Sequence, residues 1–160
     1  MRHAPLLSDL EIQLLGLIRE EARSGYALRK VLEASPGAVY PALRRLAAGG
    51  LIEGRVEGAG GRRKETFRVT GAGRRALREG LANPSLEELR RDPQGVAARL
   101  RFLEGAAAAA FLAEYARLSA HCASELKGQP GLAAQHDAAL YSARSRWAAA
   151  AAKRLTVRSG

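Results

Sequence analysis

Two clusters in this chain have residue types and spacing suited to gripping an anion. The first lies between Ser35 and Ile52, where the sequence reads SPGAVYPALRRLAAGGLI. Val39, Leu43 and Leu46 recur at helical spacing, so at about 100° per residue they share one face. Gly37, Tyr40, Pro41, Arg44 and Arg45 then fall on the other side. Ser35 suits an N-cap, Pro36 suits the first helical position, and Gly49-Gly50 is a stop signal. Gly37 and Ala38 keep the start of the helix slim. Such a helix has what the DNA major groove demands of its N-terminal half: a narrow entry, a hydroxyl and guanidinium groups for phosphate or guanine. An ordinary amphipathic helix with a solvated basic face would show the same pattern. Pro41 removes a hydrogen bond to Gly37 and crowds its carbonyl, so the first turn is expected to be loose or bent, with Gly37 absorbing the strain.

The second cluster is Arg62, Arg63 and Lys64, directly after the flexible stretch Glu57 to Gly61. Leu51 to Val56 suits a short strand, and Lys64 to Val69 a return strand. Glycines at the tip allow close approach to DNA, and arginines suit the negative potential of a minor groove. The competing reading is a solvent-exposed hairpin whose arginines only confer solubility. From Arg44 to Arg78 there are ten basic and three acidic residues. Most of the formal net charge of +10 therefore surrounds these two clusters. A chain this basic points to a polyanionic partner, double-stranded DNA before an anionic membrane surface.

The elements that must position these residues are also legible. Ser8 and Glu11 form a capping box for a helix running to about Glu21, with Leu10, Leu14, Leu17 and Ile18 inward. After a break at Arg23-Ser24-Gly25, a second helix spans about Gly25 to Glu33. The Ser35 helix follows a short corner. Helix, helix, tight connection and third helix is the order of a helix-turn-helix domain, and the hairpin adds a wing. Thr70 caps a fourth helix, with Ala72, Ala76 and Leu77 inward and Arg74, Arg75 and Arg78 outward.

These motifs resemble the PadR family of transcriptional regulators. S-x-G-x-V-Y-P-A-L-R-R-L-x-x-x-G-L-I is similar to the family's recognition-helix signature. Ser24-Gly25-Tyr26-Ala27-Leu28 resembles its "GY" helix start, and GGRRKETFRVTGAGRRAL its wing and following helix. The resemblance covers about the first half of the chain. Ala47 departs from it where an acidic residue often stands, and Thr66-Phe67 where two aromatics are common. The resemblance implies a repressor whose C-terminal helical domain forms a homodimer. Family members are typically relieved by small, often aromatic compounds, so it also implies a small aromatic effector.

Asn83-Pro84 breaks the chain. Residues 1–82 read as a winged helix-turn-helix DNA-binding domain and 83–160 as a helical dimerisation and effector domain. The expected fold is mostly α with a small β-hairpin. Beyond the break, Ser85 and Glu88 form a second capping box and Asp92-Pro93 another helix start. A long helix is expected from about Glu104 to Lys127, with Phe111, Leu112, Tyr115, Leu118, Cys122 and Leu126 on its apolar face. The last helix, about Leu132 to Leu155, carries Leu132, His136, Leu140, Ala143, Trp147, Ala151 and Leu155 at spacings of three and four. Many alanines allow close helix approach, which suits a second copy of the chain. Phe111, Leu112, Tyr115, Leu118, Leu140 and Trp147 are the expected dimer interface, and Trp147 is a weak candidate for effector contact.

Catalysis is not expected. No Walker loop, no G-x-S-x-G and no cleft-like carboxylate pair is present, and His3, His121, Cys122 and His136 lack metal-ligand spacing. No metal or cofactor is therefore expected. The single cysteine excludes an intrachain disulfide. The N-terminus has no apolar stretch of signal-peptide length, and no run spans a bilayer, so the expected location is cytoplasmic with no membrane partner. Three functions remain open: a sequence-specific DNA-binding repressor, a non-specific DNA-binding protein, and a winged-helix module that binds protein. In the first, Tyr40 and Ser35 would hold phosphates and Arg44, then Arg45, would contact base or phosphate. Arg62, Arg63 and Lys64 would grip the flanking groove, with Tyr26 as buttress.

Overall fold

Ser8 closes the capping box expected of it. Its hydroxyl accepts the Glu11 N–H at 3.3 Å, and the Glu11 carboxylate accepts the Ser8 N–H at 2.9 Å. Helix α1 follows over Asp9–Glu20 in the computed structural model, which describes residues 7–58, 61 and 64–158. Strand β1 (Arg23–Ser24), α2 (Gly25–Leu32), α3 (Pro36–Ala48), β2 (Ile52–Glu57), β3 (Lys64–Val69) and α4 (Gly71–Ala82) come next. Then come α5 (Leu86–Arg91), α6 (Pro93–Ala98), a single 3-10 turn (Arg99–Phe102), α7 (Gly105–Leu126) and α8 (Leu132–Arg158). The chain divides into two compact units, Met1–Gly80 and Leu81–Gly160.

In the first unit the core is aliphatic. Ile12, Leu14, Leu15, Leu17 and Ile18 of α1 are buried with Leu28 of α2, and with Val39, Leu43 and Leu46 of α3. Each such side chain contributes about 1.5–3 kcal/mol on burial. The wing is antiparallel, with Ile52 opposite Val69 and Glu57 opposite Lys64. The break expected at Arg23-Ser24 is instead a third strand. β1 pairs with β3, Arg23 opposite Phe67 and Ser24 opposite Thr66, so the sheet order is β1-β3-β2. Gly73 lets α4 lie against the corner between α3 and β2. A Cβ there would stand 2.0 Å from the Leu51 carbonyl oxygen. Thr70 holds the same corner: its hydroxyl accepts the Gly73 N–H at 3.0 Å and donates to the Gly50 carbonyl at 2.7 Å.

The second unit is built differently. α7 supplies its large groups, Phe111, Leu112, Tyr115 and Leu118, all buried. α8 meets them with small ones, Ala148, Ala151 and Ala152, flanked by Tyr141 and Leu155. The Ser145 hydroxyl donates to the Ala116 carbonyl at 2.9 Å. The stripe read on α8 divides between the two sides of the helix. Leu132, His136, Leu140, Ala143 and Trp147 are exposed, while Ala151 is buried and Leu155 half-buried. The reason is volume: α7 already fills the space between the helices, so α8 turns its alanine face inward and its bulk outward. Ser85 and Glu88 form the second capping box, and the Glu88 carboxylate also accepts a hydrogen bond from buried Arg99 at 2.6 Å.

Candidate nucleic-acid interface

Helix α3 begins where Pro36 predicts, with Ser35 extended at the N-cap position. The Ser35 side chain makes no capping hydrogen bond, contrary to expectation. Its carbonyl does the work instead, accepting Ala38 N–H at 3.1 Å and Val39 N–H at 3.2 Å, so the donor a capping hydroxyl would seek is already engaged. Pro41 lies inside α3, which runs without a break to Ala48. Pro41 lies in the second turn, and the Gly37 carbonyl it leaves without a donor belongs to an exposed residue that water reaches. Gly37 and Ala38 are both exposed, giving the slim entry read from the sequence.

Tyr40 and Arg44 stand on the outward face. Tyr40 is 40% exposed, and its ring lies in a notch formed by Gly25. A Cβ at Gly25 would be 2.7 Å from Tyr40 Cε1. Gly25 is thus more than the start of α2: it is the space that seats the tyrosine, a role with no local signal in the sequence. Ser24 caps α2 by accepting the Ala27 N–H at 3.3 Å. Tyr26, next along, is 56% exposed. The Arg29 guanidinium and the Lys30 ammonium lie 5.4 and 5.5 Å from its ring centroid. Two cations are thereby held against one aromatic ring.

The β1–β3 pairing brings the wing to the start of α2. Tyr26, Tyr40, Lys64 and Phe67 together line a cleft of about 410 Å³. Lys64 is exposed at the first position of β3. The expected contacts Arg62 and Arg63 lie outside the described residues.

The two arginines of α3 have different surroundings. Arg44 is exposed and has no hydrogen-bond or ion-pair partner among the described residues. Arg45 donates from Nε to Glu11 Oε1 at 2.8 Å, across to the first turn of α1. Burial alone would raise the Glu11 carboxyl. Hydrogen bonds from Ser8 and Arg45, with the Arg45 charge, outweigh that and hold it below the usual glutamate value. Arg45, read from the sequence as a second nucleic-acid contact, is therefore engaged within the protein.

Of the expected dimer contacts, Phe111, Leu112, Tyr115 and Leu118 are inside the chain's own core, at 1–5% exposure, and cannot face a partner without unpacking it. Leu140 and Trp147 are exposed, at 40% and 52%. Among the described residues no group of three or more His, Cys, Asp or Glu side chains is placed to hold a metal ion. No helix among them is long and apolar enough to cross a membrane.

The transcriptional regulator PadR-like family matches residues 14–79, which span α2, α3, the wing and most of α1 and α4. The chain is 39% identical to transcriptional regulator Rv3488 of Mycobacterium tuberculosis over 88 residues, covering 55% of this chain and 75% of that protein. Among solved structures it is similar to Bacillus subtilis PadR in complex with operator DNA. That match has 18% identity and a TM-score of 0.46, covering 95% of this chain and 98% of that one. It is also similar to smu.1604c from Streptococcus mutans UA159, with 17% identity and a TM-score of 0.44 over 92% of this chain and 98% of that one. The family comprises transcriptional regulators rather than enzymes, in keeping with a sequence that carries no catalytic constellation. With a winged helix laid over the matched residues, the chain belongs to the PadR-like family of transcriptional regulators.

Proposed function

We propose that this regulator is a sequence-specific DNA-binding repressor that works as a homodimer on a pseudo-palindromic operator. The observation that carries the reading is the outward face of α3. Arg44 is exposed and unpartnered among the described residues, and Tyr40, one turn before it, lines a cleft with Tyr26 and Lys64, where Arg29 and Lys30 lie over the Tyr26 ring. Gly37 and Ala38 let that face enter a major groove, and an arginine reaching a guanine edge supplies specificity. The relative of known designation is itself a transcriptional regulator. Residues 1–82 would bind DNA and 83–160 would pair two copies. Exposed Leu140 and Trp147 support the pairing, because large apolar side chains on the outer face of α8 gain from being covered. Two copies would set their α3 helices in successive major grooves about 34–36 Å apart. Release by a small aromatic compound rests on the family resemblance, with Trp147 as the side chain able to stack on it.

The test is fluorescence anisotropy of the full chain on a labelled duplex taken from upstream of its own gene, with excess unrelated duplex, at two salt concentrations. Competitor-resistant binding is expected. Arg44→Ala should cost about 1–3 kcal/mol on the cognate duplex and less on unrelated DNA. Equal losses on both would assign Arg44 to phosphate. Binding erased equally by any duplex would leave a non-specific DNA-binding protein. No binding at low salt would favour a protein-interaction module.

A further inference from the structure

We infer that the adjacent arginines of α3 divide two tasks: Arg44 meets the nucleic acid, and Arg45 is a positioning residue that fixes the rotation of α3 through Glu11. The inference rests on the DNA-binding reading above.

The geometry of the acceptor is what makes this a tether rather than a surface ion pair. The Glu11 side chain is 10% exposed. Its Oε2 accepts from the Ser8 N–H at 2.9 Å and from the Ser8 hydroxyl at 3.1 Å, leaving Oε1 for Arg45 Nε at 2.8 Å. The carboxylate is therefore fixed through Oε2 to the start of α1, with Oε1 turned to Arg45. Arg45 is the mobile member, 61% exposed, and it is held at one end of α3 by a fixed acceptor.

A helix packed on Val39, Leu43 and Leu46 resists being pulled away from the core, because apolar area would be exposed. The same packing is weakly directional, and a small rotation about the helix axis loses little area. A charge-assisted hydrogen bond is directional and weakens steeply with misalignment. Arg45 lies a little over one turn beyond Tyr40 and directly beside Arg44. A tether at Arg45 therefore sets the direction in which both outward side chains point.

The proposal makes a prediction of sign. Glu11 is a negative charge beside a surface that would meet a polyanion. On long-range electrostatics alone, neutralising it would strengthen DNA binding. A tether requires the reverse.

The experiment compares Glu11→Gln, Arg45→Gln and the double variant in the full chain, using the labelled upstream duplex and an unrelated one over a range of salt. Glutamine preserves the capping box, so the start of α1 is kept, and thermal unfolding verifies that each variant is folded. Each single variant is expected to bind the upstream duplex about five- to tenfold more weakly, and the double variant no more weakly than either. Discrimination against unrelated DNA should fall, while the slope of log affinity against log salt stays that of the unmodified chain. Should a glutamine variant fail to fold, Arg45→Lys replaces it: weaker binding at unchanged slope supports the tether, and unaltered binding overturns it. If Arg45→Gln lowers the slope by about one while Glu11→Gln leaves binding equal or tighter, Arg45 touches phosphate and the inference fails. If the variants melt earlier but keep affinity and discrimination, the pair is structural only; the inference fails and the DNA-binding reading stands. If the unmodified chain shows no competitor-resistant binding, the reading beneath fails and takes the inference with it.

Discussion

Glu11 and Glu88 occupy the same place in the same local motif, one in each unit. Each is the third residue of a helix opened by a serine, each completes a capping box, and each accepts a hydrogen bond from an arginine on another element. The arginines differ. Arg45 keeps most of its side chain in water, at 61% exposure, whereas Arg99 is 1% exposed. In water a guanidinium loses little when its partner goes. In a core the loss of a charged partner costs more. One device thus serves two ends: in the first unit it sets a direction, and in the second it holds the structure together.

The contrast breaks most visibly at Glu88. Glu88→Gln keeps the cap but removes a charge that faces buried Arg99, and is expected to cost about 1–3 kcal/mol in urea unfolding. A cost below about 1 kcal/mol would mean that the two pairs are alike.

Acid sharpens the comparison next. Burial alone would raise the Glu88 carboxyl, but Arg99 and Ser85 together hold it below its ordinary value, as Ser8 and Arg45 hold Glu11. Folded-state values lying below the unfolded 4.5 mean that the unfolded chain takes up protons first. The stabilisation is therefore complete above that pH and is lost as pH falls through the folded values. Urea midpoints followed from neutral pH to pH of about 3 should decline, and Glu88→Gln should flatten that decline more than Glu11→Gln.

The smallest effect belongs to the pair whose arginine stands in water. Glu11→Gln or Arg45→Gln should change stability by less than about 1 kcal/mol. A loss comparable to that at Glu88 would place Arg45 among the structural residues and remove the distinction between the units.

What could be read from the sequence follows the same division. In the first unit most inward positions are Leu, Ile or Val, so Val39, Leu43 and Leu46 gave the phase of α3, and Lys64 to Val69 gave a strand at its observed bounds. In α8 alanine stands on both sides of the helix. The residues with visible apolar character, Leu132, Leu140 and Trp147, are the outward ones, so their spacing marks the outer face and leaves the alanine face that meets α7 unmarked. Pairings between distant residues left no local trace. β1 has two residues, too few to alternate. Gly25 makes room for a tyrosine fifteen positions later, and Arg45 reaches Glu11 across 34 positions. The idle hydroxyl of Ser35 was hidden for a different reason: residue type favours a cap, but the backbone of the first turn had already met the need.

Trp147 is the chain's single tryptophan, and it stands 52% exposed on the outer face of α8. The winged-helix unit contains none. Intrinsic fluorescence excited at the red edge of protein absorption is therefore a spectroscopic channel for the helical unit alone. Its emission colour reports whether water or another molecule covers that face, and events confined to α3 leave it dark. The protein carries one optical reporter, placed so that association and ligand capture on the α8 face are followed without a label while DNA is read by a dye of another colour.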